Sequence, residues 1–249
     1  MFDLKHQLIN ELKQKSNKKR AASQSAIFKT KKGEYAYGDR FIGVRVPILR
    51  QLAKKYYKQI NFKNLKQLLD SKIHEYRQIA LFIIILQFKN NKNLTQSKKI
   101  YDFYLKNLKR VNNWDLVDCS AHKIIGAYLL NKKDKSVLDK LATHNNLWFN
   151  RIAIISTFAF IDQGELNTAL KLIKKLINHP HDLIHKACGW VLREIGKKDI
   201  NKLKIFLERY YERMPRTMLR YAIEKFEQKQ RKKILKGELD NRVINQHTI

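Results

Sequence analysis

Five residues define the chemistry this sequence is equipped for: Trp114 and Asp118 in NNWDLVD, Arg151 in WFNRIAII, and Trp190 and Arg193 in KACGWVLRE. Trp114 and Asp118 are spaced i, i+4, which puts them on one face of a helix. Trp190 and Arg193 are spaced i, i+3, and Trp148 and Arg151 repeat that spacing in an earlier segment. Indole faces attract a planar cation. A guanidinium fork matches a phosphate bidentately. A lone carboxylate stabilises a developing positive charge or orients a water. Singly, each residue has a plainer reading. A Trp at helical spacing packs a core, Asp118 caps a helix near Asn112 and Asn113, and an Arg is a solvated charge. Jointly, three Trp/charge pairs make a better surface than a core.

Something must position them. Glycine (8) and proline (3) are sparse, and apolar residues recur at i, i+3, i+4 and i+7, as in Leu49, Leu52, Ala53 and Tyr56. No sustained strand-type alternation occurs. Pro47, Pro180 and Pro215 each stand where a helix would begin. The segments EYRQIALFIIILQF, WDLVDCSAHKIIGAYLL, WFNRIAIISTFAFI and LIHKACGWVLREIG share a register. Aligning Arg77, Asp118, Arg151 and Lys186 gives spacings of 41, 33 and 35 residues, with shorter amphipathic helices between. Helix pairs of that length, repeated, predict an all-α, HEAT-like α-solenoid of stacked antiparallel pairs. One helix of each pair would line a concave basic face, where the five residues converge. We expect one domain over 1–235, with a loop or short hairpin at 29–46 and a polar tail over 236–249.

The formal net charge is +30, from 52 Lys+Arg against 22 Asp+Glu. An enzyme of small molecules has no use for such self-repulsion. A polyanion is the economical partner, nucleic acid ahead of a membrane surface. Arg151, Arg193, Trp148 and Lys186 are then the candidate DNA contacts. The two cysteines, Cys119 and Cys188, form no CxxC pattern and lie in apolar helical segments, which predicts buried thiols. His181 and His185 are spaced i, i+4, but without an HExxH motif no metal site is expected. The longest apolar run, Ile79 to Leu86, is short of the ~20 residues of a membrane span. The N-terminal MFDLKHQLINELKQ lacks an apolar secretory core. A cytoplasmic, nucleoid-associated monomer is expected.

These parts suit one reaction: hydrolysis of the N-glycosidic bond of a positively charged, alkylated nucleobase in duplex DNA. The base leaves neutral, so it needs neither protonation nor a metal or organic cofactor. Positive charge develops on the deoxyribose instead, where a fixed carboxylate stabilises it. Two other readings stay open. One is a non-catalytic module of the same fold that recognises bent or branched DNA, with the basic loop at 29–46 as its feature. The other is a protein-interaction scaffold, against which the charge argues.

The chain also resembles a family. The segments FIGVRVPILRQLAK, WDLVDCS, WFNRIAI, KACGWVLREIGK and MPRTMLRYAIEKF together resemble the AlkD family of DNA alkylation repair glycosylases, which are HEAT-like all-α proteins. The resemblance implies catalytic-cleft roles for Trp114, Asp118 and Trp190, and DNA-backbone roles for Arg151 and Arg193. It implies N3- and N7-alkylated purines such as 3-methyladenine and 7-methylguanine as substrates, met without drawing the base into a pocket. One departure is KTKKGEYAYGD ahead of FIGVRVP, where the best-known member is shorter.

Overall fold

The computed structural model of the protein describes residues 4–238. These residues are helical over most of their length and contain no strand; one isolated parallel bridge pairs Arg40 with Ile73. The chain divides into two compact units, Met1–Tyr128 and Leu129–Ile249. Along the first run α1 (Leu4–Gln14), α2 (Lys18–Ile27), α3 (Val46–Tyr56), α4 (Phe62–Leu69), α5 (His74–Lys89), α6 (Leu94–Lys106) and α7 (Trp114–Ala121). A π-helical turn, His122–Gly126, joins α7 to α8 (Ala127–Leu129). Then follow α9 (Ser136–Ala142), α10 (Leu147–Ser156), α11 (Phe158–Asp162), α12 (Asn167–Leu176), α13 (Asp182–Lys198), α14 (Ile200–Tyr210), α15 (Arg216–Ala222) and α16 (Gln228–Leu235).

The helices form where the apolar period dictates. Helix α3 opens with Pro47 in its first turn and buries Leu49, Leu52, Ala53 and Tyr56. Helix α4 starts at Asn61, whose side chain accepts the Asn64 N–H at 3.0 Å, and buries Leu65, Leu68 and Leu69. Helix α12 buries Ala169, Leu172, Ile173 and Leu176. Such helices have one wet face. Helix α5 differs: every residue from His74 to Ile84 is buried, because α3, α4 and α7 all pack on it. In the second unit α10 packs on α9 and α13, while α13 also receives α12, α14 and α15. Each fully buried Leu or Ile contributes about 1.5–3 kcal/mol.

Residues 29–45 link α2 to α3 through turns, with no hairpin. Helix α2 ends in a Schellman motif: Thr30 N–H donates to Ser25 O and Lys29 N–H to Ala26 O, both at 3.3 Å. Lys29 takes the left-handed conformation (φ 55°) that this motif requires. Phe28, the last residue before it, is turned inward and buried. Farther along, Gly43 has φ 76°, and a Cβ there would lie 2.2 Å from the Asn17 carbonyl oxygen. Only glycine permits the loop to lie that close to the start of α2. Residues 239–249, most of the expected polar tail, lie outside the described residues.

Candidate active site and DNA-contacting residues

Trp114 and Asp118 belong to the first unit. Asn113 ends the preceding loop and accepts the Trp114 N–H at 2.8 Å, starting α7 there. Leu116, Val117, Ser120 and Ala121 face the interior of the unit. Trp114, Asp115, Asp118, Cys119 and His122 form a half-buried stripe along the other side. The i, i+4 pair therefore shares one face, with Asp118 one turn beyond the indole. Burial, with the nearby Asp115 and Asp118 charges, pushes the Cys119 thiol well up, so it is not a nucleophile. The π turn follows directly after α7; such turns are rare and shift the helical register by one residue.

The first turn of α7 is clamped by a buried polar network. Asp115 accepts from His74 Nε2 and Gln78 Nε2, both at 2.8 Å, and Asp39 lies 3.3 Å from His74 Nδ1. Asp39 also accepts from Arg77 Nη2 at 2.6 Å and from Asn113 Nδ2 at 3.3 Å. His74, Arg77 and Asn113 are all buried. Burial alone would lower the His74 pKa, but the Asp115 carboxylate, together with Asp39, outweighs it and raises the value above 6.5. Burial of Asp39 is likewise outweighed, by His74 and Arg77, which hold its carboxyl below 3.8. The imidazole thus bridges two carboxylates, one from the 29–45 loop and one from α7, an arrangement that favours its protonated form. Beside it, Glu75 takes three backbone donors from the same loop: Ile42 N–H (3.1 Å), Gly43 N–H (2.7 Å) and Val44 N–H (3.3 Å).

The second unit holds the remaining candidates. Asn146 caps α10 by accepting from Trp148 N–H (2.9 Å) and Phe149 N–H (3.3 Å). Trp148 is 7% exposed and packs in the interior. Arg151 is 5% exposed, and its Nη1 donates to the Leu183 carbonyl in the first turn of α13. A guanidinium was not expected inside; this one is satisfied in part by the Leu183 backbone carbonyl, a partner that residue type does not reveal. Arg77 is buried for a similar reason, with the Ser71 carbonyl at 3.0 Å and Asp39 as partners. Burial pushes the Cys188 thiol up to about 12.

On α13, Lys186, Trp190 and Arg193 share one stripe at i, i+4 and i+7. Trp190 is half-buried, its ring tilted by 54° against Phe158 at 4.7 Å. Arg193 is ion-paired with Glu224 and lies 3.4 Å from Glu194 Oε1. Lys186 bridges to Asp182 at 2.7 Å. Gly189 lets α15 pack directly on this helix: a Cβ there would lie 2.5 Å from both Met218 O and Tyr221 Cβ. His181 and His185, with His179 beside them, serve local structure. His181 Nδ1 accepts the Leu183 N–H (3.1 Å), His179 Nε2 meets Asn150 Oδ1 (3.2 Å), and His185 Nε2 bonds the His179 carbonyl (2.5 Å). Among the described residues no group of three or more His, Cys, Asp or Glu side chains is placed to hold a metal ion.

Sequence reasoning missed Asp39, His74 and Asp115. The one available signal was Asp115 in the first turn of a helix, where a carboxylate is favoured by the dipole. Nothing local pairs it with a histidine 41 positions earlier.

Among the described residues no helix is long and apolar enough to cross a membrane. A search of curated proteins returned no match. Several solved structures share the fold, among them the following three. An Enterococcus faecalis protein described as a predicted DNA alkylation repair enzyme aligns with TM-score 0.65 at 18% identity, covering 86% of this chain and 98% of its own. AlkD2 from Streptococcus mutans aligns with TM-score 0.54 at 20% identity, covering 84% and 98%. The protein smu.31 from Streptococcus mutans UA159 aligns with TM-score 0.51 at 20% identity, covering 78% and 90%. At these identities the likeness establishes an all-α fold of that type. The family model for the DNA alkylation repair enzymes matches residues 8–226, a span that takes in both units and every candidate residue, and the chain therefore belongs to that family.

Proposed function

We propose that the protein is a monofunctional DNA glycosylase that releases cationic alkylated purines, 3-methyladenine and 7-methylguanine, from duplex DNA. The family makes DNA its partner and repair of alkylation its role. The observation that carries the finer reading is Asp118, half-buried one turn from the Trp114 indole, on a helix whose first turn is clamped. In an N3- or N7-alkylated purine the C1′–N bond breaks with its electron pair moving onto the base, which departs neutral. C1′ is left as an oxocarbenium ion. Asp118 stabilises that cation and takes a proton from the water that adds to C1′, giving an abasic site. The Trp114 indole contacts the lesion nucleotide, and its face favours the positive charge there; the cleft role of Trp190 rests on the family resemblance.

Arg193 and Lys186 hold backbone phosphates in this reading. Both are now paired with exposed or half-exposed carboxylates, Glu224 and Asp182, which a phosphate can replace. Arg151, which donates to the Leu183 carbonyl, and Trp148, which packs in the interior, serve in this reading by holding α10 against α13. The protein acts as a cytoplasmic, nucleoid-associated monomer. With a charge of +30, binding should weaken steeply with salt: about 10³-fold or more between 50 and 200 mM if six phosphates are neutralised. The test is incubation of the purified protein with methylated duplex DNA, with heat- or alkali-labile abasic sites counted. Release of 7-methylguanine supports the proposal. Tight binding without abasic sites would leave a non-catalytic DNA-binding protein.

A further inference from the structure

Trp114 does not stand alone on its stripe. The Phe28 ring lies parallel to it, 4.9 Å between centroids and 9° between planes. This is an offset stack, the geometry that aromatic quadrupoles favour. Phe28 is in turn backed by Phe41 (4.9 Å, 41°) and by the His74 ring (5.1 Å, 55°), and Phe41 stacks on His74 (4.6 Å, 24°). Four rings therefore run without a break from the bridged His74 to the Trp114 indole.

Each member is fixed independently. His74 is held between Asp39 and Asp115. Phe28 is turned inward by the Schellman motif that ends α2. Phe41 sits between the Arg40–Ile73 bridge and the three loop N–H groups taken by Glu75. The segment that departs from the family pattern in sequence is thus tied to the start of α7 directly, Asn113 through Asp39, while its neighbour Phe28 stacks on Trp114 and His74 links Asp39 to Asp115.

We infer that Phe28 is a positioning residue for excision: it closes one face of the Trp114 indole and leaves the opposite face and the ring edge as the side that meets the alkylated nucleotide. The inference rests on the reading of Trp114 as a lesion contact. A cation can use only one face of this indole, so its approach to Asp118 is set by which face the loop has covered. An indole free to rotate about χ1 would offer several poses, and a misplacement of about 1 Å at a reacting centre costs on the order of 100-fold in rate.

The test uses the full chain labelled with 5-fluorotryptophan, in which the three tryptophans give three fluorine resonances. Trp114→Phe assigns the Trp114 signal. Phe28→Leu removes the flat ring but keeps an apolar side chain, and Phe28→Tyr keeps the ring. The Trp114 resonance is expected to shift in Phe28→Leu and to stay in place in Phe28→Tyr, while the Trp148 and Trp190 signals stay in place in both. Single-turnover release of 7-methylguanine should fall about tenfold in Phe28→Leu with DNA affinity unchanged, and recover in Phe28→Tyr. A Trp114 signal unmoved by Phe28→Leu, or a moved signal with undiminished excision, overturns the inference. If the unmutated protein releases no base at all, the glycosylase reading fails, and the Trp114 resonance alone decides whether Phe28 positions the indole.

Discussion

Glu75 provides the sharpest test of how the loop is held. Its carboxylate is buried and accepts from Ile42, Gly43 and Val44 N–H, of which the last two residues are buried as well. Glu75→Ala leaves these donors without an acceptor. Water can reach Ile42, which is half-exposed, but Gly43 and Val44 cannot be rehydrated without opening the loop. An orphaned buried donor costs about 1–3 kcal/mol, so two cost about 3–5 kcal/mol with the lost charge assistance included. That is a large part of the 5–15 kcal/mol typical of a domain. Glu75→Gln keeps one acceptor oxygen for Gly43 but turns an amide N–H toward Ile42, so its cost is about 1–2 kcal/mol. Urea unfolding followed at Trp114, the one tryptophan of the first unit, reads that unit selectively. With a slope of about 2 kcal/mol per M, the midpoint should fall by about 1.5–2.5 M in Glu75→Ala and by about 0.5–1 M in Glu75→Gln. Equal, small shifts in the two variants would refute the reasoning, because then the three N–H groups do not depend on the carboxylate.

Other consequences follow from the same geometry. The His74 pKa is raised above 6.5, so its stabilising contribution is complete below that pH and is lost as pH rises through the folded value. The Asp39 pKa is lowered below 3.8, so its contribution is complete above that pH and is lost as pH falls through the folded value. The melting temperature of the first unit should therefore peak between these limits, and His74→Gln should remove the alkaline decline; a decline that persists in that variant contradicts the bridge. Gly189→Ala places a methyl group against the Met218 carbonyl and Tyr221 Cβ, and should destabilise the second unit by about 1–3 kcal/mol in thermal unfolding. Glu224→Gln frees Arg193 from its carboxylate and removes a negative charge, so DNA affinity measured by anisotropy at low salt should rise about two- to fivefold. Weaker binding by that variant would remove Arg193 from the phosphate contacts.

The helices were legible because their cause is local. Apolar spacing in LNTALKLIKKLIN and the prolines at 47 and 215 specify elements without reference to the rest of the chain. The Trp114–Asp118 pair was legible for the same reason, since i, i+4 is a property of one helix. The support behind that pair was not. Phe28 reaches Trp114, Asp39 reaches His74 and His74 reaches Asp115 across tens of residues, and no period in the sequence encodes those meetings. The burial of Arg151 was hidden by chemistry rather than distance. Its partner is the Leu183 backbone carbonyl, and a carbonyl leaves no mark on residue type. The loop over 29–45 was marked by Gly33, Gly38 and Gly43, all of which have positive φ. Its role as a brace for α7 was not marked, because that role is carried by buried Phe28 and half-buried Phe41 and Asp39 rather than by the exposed lysines that drew attention.

The central claim is that Asp118 stabilises the sugar cation formed as an alkylated base departs. Single-turnover release of 7-methylguanine by Asp118→Asn, measured beside its DNA affinity, tests this most directly. The side chains are nearly isosteric, so folding and binding should hold. Removing a carboxylate that acts on the transition state should slow release by about 10²–10³-fold. Undiminished release by a variant that binds DNA normally would contradict the account.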